Sequence, residues 1–183
     1  GITIAIILAS RGYDITIFEA HDKIGGVLMY GIPEFRLPKS VLAKLKTKII
    51  EMGIKIRPNT MIGPVLTIDD LFRDGYKAVF IGTGVWKPKS LGIKGESLGH
   101  VHFAIDYLKN PEVYSLGEKL CIIGCGNVAI DVARTAIRSG IRKVTILYRG
   151  DAESITAEKR EFEMAKIDGV KFEMNKAPVE ITD

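Results

Sequence analysis

The sequence predicts an α/β fold made of two Rossmann-like units with parallel sheets, the first of them incomplete. Three observations carry this. Short β-branched runs alternate with helical spacing along the chain, the pattern of a parallel sheet covered by helices on both faces. A glycine turn, Gly124-Cys125-Gly126-Asn127-Val128-Ala129, joins such a run to a helix. What reads as the tail of a second glycine turn stands at residue 1.

In order, Ile2 to Ala9 is a continuous apolar helical run that begins with no cap ahead of it but Gly1. A natural start inside an element is unusual, so the chain is expected to be cut from something longer. Arg11-Gly12 stops the helix, and Ile15 to Glu19 reads as a strand. A glycine-rich loop follows with Gly25-Gly26 and Gly31-Ile32-Pro33. Val41, Leu42, Leu45, Ile49 and Met52 fall on one helical face between Pro38 and the stop at Gly53, and Ile54 to Arg57 is a short strand. Thr67 caps a brief helix through Phe72, with Asp69 and Asp70 in its first turn.

Ala78 to Ile81 then reads as a buried strand entering Gly82-Thr83-Gly84. Val85 to Gly99, with Pro88 and several glycines, is loop, and Val101 to Lys109 is helical. The scheme then repeats: strand Leu120 to Ile123, helix Asn127 to Ser139, strand Val144 to Tyr148, helix Ala157 to Ile167, strand Val170 to Glu173. A domain boundary is expected near Gly117, giving units over 1–117 and 118–183.

Composition narrows the classes. With 183 residues, 46% hydrophobic and 26% charged, the chain matches ordinary globular proteins and excludes a disordered tail, a disulfide miniprotein or a fibre. No apolar run approaches the length of a membrane span, and Ile2 to Ala9 lacks the charged flank of a signal peptide. The net charge of +4 is spread along the chain among acids, so it reads as a solvated face; a nucleic-acid stripe would need interleaved aromatics or a binding motif. Cys121 and Cys125 are too few for a zinc site and read as buried or tightly turned thiols, with nothing implying an oxidising compartment; a cytoplasmic protein is expected.

The second-half motif fits Gly-x-Gly-x-x-Gly/Ala. Gly124 makes the tight turn and Gly126 lets the backbone approach a pyrophosphate. Ala129 lets helix and strand pack closely, while the helix N-terminus supplies N–H donors. About twenty residues on, an acid would take a ribose 2′-hydroxyl and an arginine would suit a 2′-phosphate. The strand ends Tyr148-Arg149, with no acid until Asp151, which favours NADP(H). The same rule run backwards makes Gly1 a third glycine and Glu19, eighteen residues on, an acid on a ribose. The first two glycines and their strand are then expected before residue 1.

Glu19, Gly25-Gly26 and the stretch Tyr30-Gly31-Ile32-Pro33-Glu34-Phe35-Arg36-Leu37-Pro38-Lys39 together resemble the small (beta) subunit of NADPH-dependent glutamate synthase. Similar relatives are the flavin domain of dihydropyrimidine dehydrogenase and NADPH:ferredoxin oxidoreductase subunits. The resemblance continues through Ile81 to Gly84 with Lys87-Pro88, through Gly124 to Asp131, Leu147 to Arg149 and Arg160-Glu161, and ends at Ala165 to Val170.

It implies FAD and NADP(H) as cofactors, a partial FAD-binding domain over 1–117 and the core of an NAD(P)H-binding domain over 118–183. Glu19 would hold the FAD ribose, and Gly25, Gly26, Leu28 and Arg36 would line the FAD site. Ile62 would meet the adenine side through its backbone, and Gly82-Thr83-Gly84 would approach the flavin dinucleotide. Asn127, Val128 and Ala129 would present backbone to NADPH, and Arg149 its 2′-phosphate.

The activity so implied is passage of hydride from NADPH to flavin and of electrons on to iron–sulfur clusters. The partner would be a large glutamate synthase-type subunit or another electron acceptor, such as ferredoxin or a pyrimidine-reducing domain, with no nucleic acid and no membrane. A module that binds nucleotide without turnover is the reading from a different class. No side-chain acid, nucleophile or metal ligand is required, because the cofactors carry the chemistry. Two departures stand out: Gly150 replaces a second basic residue, which weakens the phosphate clamp and leaves NADH open as the alternative nucleotide, and Ile155-Thr156 replaces Met-Pro. His21, His100 and His102 have no partner spacing for a base or metal, and Tyr30 and Trp86 either flank a cofactor or pack in a loop.

Overall fold

A computed structural model describes residues 1–182, and the chain divides into two compact units. The first comprises Gly1–Met29 with Glu34–Val85, the second Tyr30–Pro33 with the chain from Trp86 onward.

In the first unit, α1 (Ile2–Ala9) packs on β1 (Thr16–Phe18), which pairs in parallel with β2 (Lys55–Arg57), Ile17 opposite Ile56. Between them lie the short α2 (Val27–Tyr30) and α3 (Lys39–Glu51). Ala5, Ile24, Ile49 and Ile54 form the buried core, flanked by Ile2, Ile6, Ile15, Ile17, Leu45 and Ile56. These are apolar residues at helical spacing on α1 and α3 that meet the β-branched residues of the strands. α4 (Ile68–Arg73) opens on a full capping box: Asp70 N–H donates to Thr67 Oγ1 at 3.1 Å, and Thr67 N–H to the Asp70 carboxylate at 2.9 Å.

The expected strand Ala78–Ile81 does not form. A strand is stabilised by a paired neighbour, and this segment joins no ladder among the described residues. Phe80 and Ile81 are left 63% and 66% exposed. Its apolar run therefore records a preference for pairing that these residues do not satisfy.

The second unit holds α5 (Ala104–Lys109), a short 3-10 turn at Pro111–Val113, and then β3 (Lys119–Ile123), α6 (Asn127–Arg138), β4 (Lys143–Leu147), α7 (Lys159–Ile167) and β5 (Lys171–Glu173). The sheet is parallel in the order β3-β4-β5. Its core joins Ile122, Val144 and Ile146 from the strands to Ala129, Ile130, Ala133 and Ala136 of α6 and Ala165 of α7. Three buried alanines on one face of α6 let the helix axis lie close to the sheet, and Tyr107 of α5 closes the other side. α7 begins later than its apolar spacing suggests, because Ala157 is spent in the core as part of the preceding loop.

Candidate functional site

The second unit assembles its site from two neighbouring strand ends. Ile123 is in register with Leu147, and the Gly124 N–H donates to Leu147 O at 2.8 Å. The glycine turn and Arg149 therefore emerge side by side at the carboxyl edge of a parallel sheet, where α/β folds bind ligands. Gly124 has φ +105, a conformation that L side chains rarely adopt.

Gly126 caps α6 in an extended conformation, and no side chain caps the helix. The first-turn N–H groups, from Gly126 to Ala129, have no acceptor within the helix. Ala129 is buried against the sheet, while Val128 is 45% exposed at the rim. Arg149 is exposed and makes no hydrogen bond or ion pair among the described residues. Oriented N–H donors beside an uncommitted guanidinium fit a pyrophosphate and a further phosphate group.

The loop from Arg149 to Glu158 is more ordered than its composition suggests. Tyr148 Oη donates to Ser154 O at 2.7 Å, the Ser154 N–H donates to Asp151 Oδ1 at 2.9 Å, and Ser154 Oγ donates to Asp151 O at 3.0 Å. These bonds hold the Asp151 carboxyl below the usual range, first through Ser154. A Cβ on Gly150 would overlap Ser154 Oγ and stand 2.8 Å from Tyr148 Cε1. The loop thus closes on position 150, where a side chain would require Ser154 and the Tyr148 ring to shift. Asn127 does more than present backbone, since its Oδ1 accepts the Glu158 N–H at 2.9 Å and ties the start of α6 to the start of α7. Sequence reasoning missed that tether, which no local spacing signals.

In the first unit Gly1 is the N-cap of α1, and its carbonyl accepts the Ala5 N–H at 3.1 Å. A Cβ on Gly82 would stand 3.3 Å from Gly1 N, so the fold brings these two glycines together. Thr83 and Gly84 continue exposed from there, Gly84 at φ +77. Glu19 follows β1. Its N–H donates to Arg57 O, and its Oε1 accepts from the His21 N–H at 3.0 Å and meets His21 Nδ1 at 3.1 Å. The other carboxylate oxygen has no partner among the described residues. α1 returns to β1 through a short turn, so its N-terminus lies toward the strand end that bears Glu19.

Gly25 has φ +122, and a Cβ there would lie 3.2 Å from Met29 Cβ; Gly26 has φ +55. This bend leads into α2, whose Leu28 is 44% exposed. Leu28 O accepts Lys39 Nζ at 2.8 Å, while Glu34 accepts the Lys39 N–H and so caps α3. Burial pulls the Lys39 ammonium below its ordinary range, with Glu34 opposing. Arg36 is half-buried, and Ile62, exposed at the surface, forms an isolated parallel bridge with Leu66. Close-approach glycines at 1 and 82 and a carboxylate with a spare oxygen fit a dinucleotide ribose and phosphates.

The remaining candidates add nothing catalytic. Only Cys125 is buried; Cys121, read as buried from its apolar run, lies exposed on β3, and partial desolvation still pushes both thiols up, so neither is poised as a thiolate nucleophile. Tyr30 and Trp86 meet edge to face at 6.5 Å, with Lys109 Nζ 5.1 Å from the Trp86 ring. No group of metal-ligating side chains is present among the described residues. No helix there is long and apolar enough to cross a membrane.

The family profile described as pyridine nucleotide-disulphide oxidoreductase matches residues 1–183. The chain belongs to that family. Members are NAD(P)H-dependent flavin oxidoreductases, and membership is consistent with FAD and NADP(H) as cofactors. Among relatives, the glutamate synthase [NADPH] small chain of Escherichia coli is 33% identical over 99% of this chain and 41% of its own length. The beta subunit of the NADP(+)-dependent formate dehydrogenase of Moorella thermoacetica is 38% identical over 94% of this chain and 25% of its own.

Among solved structures of the same fold, a 2-naphthoyl-CoA reductase complex aligns with TM-score 0.84 at 27% identity, covering 100% of this chain and 27% of that one. FprA from Mycobacterium tuberculosis in complex with NADPH aligns at TM-score 0.81 and 17% identity, covering 100% and 58%, and shares the fold. The chain spans less than half the length of the curated relatives it matches.

Proposed function

We propose that this chain is the cofactor-binding part of a flavoprotein oxidoreductase subunit of the glutamate synthase beta type. In this reading residues 1–117 hold FAD and residues 118–183 hold NADP(H). The bound cofactors supply hydride transfer from NADPH to flavin, with electrons passed on to iron–sulfur clusters. The chain's own residues bind, orient and shield charge. Gly124, Gly126, Asn127, Val128 and Ala129 present backbone to the pyrophosphate, and Arg149 holds the 2′-phosphate. Glu19 takes the FAD ribose; Gly1, Gly25, Gly26, Leu28, Arg36, Ile62, Gly82, Thr83 and Gly84 line the rest of that site. The electron acceptor is a large subunit of the glutamate synthase type or another redox partner. Two free cysteines suit a reducing compartment, and we assign the protein to the cytoplasm.

The observation that carries the reading is the register of β3 on β4, which sets an uncommitted Arg149 beside the glycine turn. Arg149→Ala is expected to weaken NADPH binding by about 1.5–3 kcal/mol, the scale of a hydrogen bond to a charged group, and to leave NADH unchanged. Titration of both nucleotides checks it; equal losses would remove the 2′-phosphate role. For the flavin side, Glu19→Ala is expected to raise the dissociation constant of FAD about tenfold through the lost carboxylate–hydroxyl bonds. Flavin fluorescence on release reads this, and unchanged retention would take Glu19 out of the ribose site.

A further inference from the structure

Gly126 faces a side chain from another part of the chain. A Cβ built on it would lie 3.5 Å from Thr156 Oγ1. Thr156 thus borders the space through which an anion reaches the N-terminus of α6. Its hydroxyl is exposed and has no hydrogen-bond partner among the described residues.

The position is fixed from both sides. Ahead of it, Ser154 is held by Tyr148 and Asp151. Behind it, Ala157 is 8% exposed in the core, and the Glu158 N–H is bound to Asn127 Oδ1. A hydroxyl placed in this way costs little further ordering when it meets a ligand.

We propose that the Thr156 hydroxyl donates to the pyrophosphate of the bound nicotinamide nucleotide, as a positioning residue beside the backbone donors of the Gly124–Ala129 turn. This rests on the reading that the turn binds NADP(H). Arg149 and Thr156 then divide the work. The guanidinium reads the 2′-phosphate, which only NADPH carries, while the hydroxyl holds the pyrophosphate, which both nucleotides share. Position 150 is crowded by Ser154 and the Tyr148 ring. The same loop closure that crowds that position carries Thr156 to the turn.

The test is titration of NADPH and NADH into the full chain for the unsubstituted protein, T156V and T156S, followed by nicotinamide fluorescence and calorimetry. T156V is expected to raise both dissociation constants about tenfold, as for a lost hydrogen bond to a charged group, and T156S to stay within about twofold. Thermal melts of both variants are expected to match the unsubstituted chain, since the side chain is exposed and unbonded.

Unchanged binding of both nucleotides by T156V overturns the role of Thr156 and leaves the site reading standing. Loss confined to NADPH moves the hydroxyl to the 2′-phosphate and overturns the pyrophosphate assignment. Equal loss in T156S and T156V traces the effect to shape rather than to the hydroxyl, and overturns it too. An unsubstituted chain that binds neither nucleotide overturns the site reading itself, and this inference with it.

Discussion

Arg134→Met is expected to lower the unfolding free energy by about 3 kcal/mol, the low end of the range for removing one partner of a buried ion pair. Arg134 is buried at 6% side-chain exposure, with Nη1 donating to Glu161 at 2.5 Å and Nε to Asp168 at 2.9 Å. Glu161 lies in the first turn of α7 and Asp168 is its C-cap, so one guanidinium on α6 grips both ends of α7. A carboxylate at a helix C-terminus opposes the macrodipole. Asp168 is held there by Arg134 and by Arg138 Nη1 at 2.6 Å. The methionine keeps apolar bulk but leaves two poorly hydrated carboxylates with less counter-charge. Urea unfolding should show a lower midpoint with an unchanged slope.

The pH dependence has a definite sign. Burial alone would raise the Asp168 carboxyl, yet hydrogen bonds and charge from Arg138 and Arg134 outweigh it and hold the group below its ordinary 3.8. A depressed native value means that its stabilising contribution is full above the unfolded value and fades as pH falls through the native one. The penalty of Arg134→Met should therefore be largest near neutral pH and shrink below about pH 4, as Asp168 takes up its proton. A penalty constant from pH 7 to pH 3 would assign the loss to packing rather than to charge.

The parts of this architecture that were legible beforehand are those in which a local pattern and its tertiary use coincide. Helical spacing at Leu42, Leu45 and Ile49 marks the face that α3 buries, although Val41 and Met52, read on the same face, stay exposed, and Val144 and Ile146 alternate into the core as a sheet residue pair should. Thr67 with Asp70 announces its capping box three residues apart. The glycine turn is visible because Gly124 must take a positive φ and Ala129 must pack small against the sheet.

What escaped depends on residues far apart in the chain. Asn127 meets Glu158, Arg134 meets Asp168, and Gly150 is crowded by Ser154 through a loop that Tyr148 and Asp151 hold closed. Ala78 to Ile81 failed in the opposite direction. Its local preference for strand is real, but a ladder is a property of two segments, and Phe80 and Ile81 stay exposed without one. His21 beside Glu19 belongs with the missed pairs, although the two are only two residues apart, because a histidine near a strand end carries no spacing signal of its own.

Gly126→Val is expected to abolish nucleotide binding while leaving the fold intact, a loss above about a hundredfold for both NADPH and NADH. Two or more charge-assisted hydrogen bonds from the first turn of α6 are at stake, each about 1.5–3 kcal/mol. The substitution is clean because Gly126 has φ −98 and ψ 176, extended backbone that valine adopts readily. Its Cβ would meet only Thr156 Oγ1, at the ordinary contact distance of 3.5 Å. Among the described residues nothing else comes within 4 Å of that Cβ, so in the proposed reading it is an approaching phosphate that requires glycine here.

Gly124 is the contrasting case. At φ +105 any side chain there is strained by about 1–3 kcal/mol, although the space around it is open. Gly124→Ala should thus lower the melting temperature, whereas Gly126→Val should lower binding at an unchanged melting temperature. Those two outcomes would separate the glycines of the turn into one that shapes the chain and one that, in the proposed reading, admits the ligand. If Gly126→Val melted early or still bound NADPH, the space over Gly126 would belong to the protein's own packing rather than to a pyrophosphate.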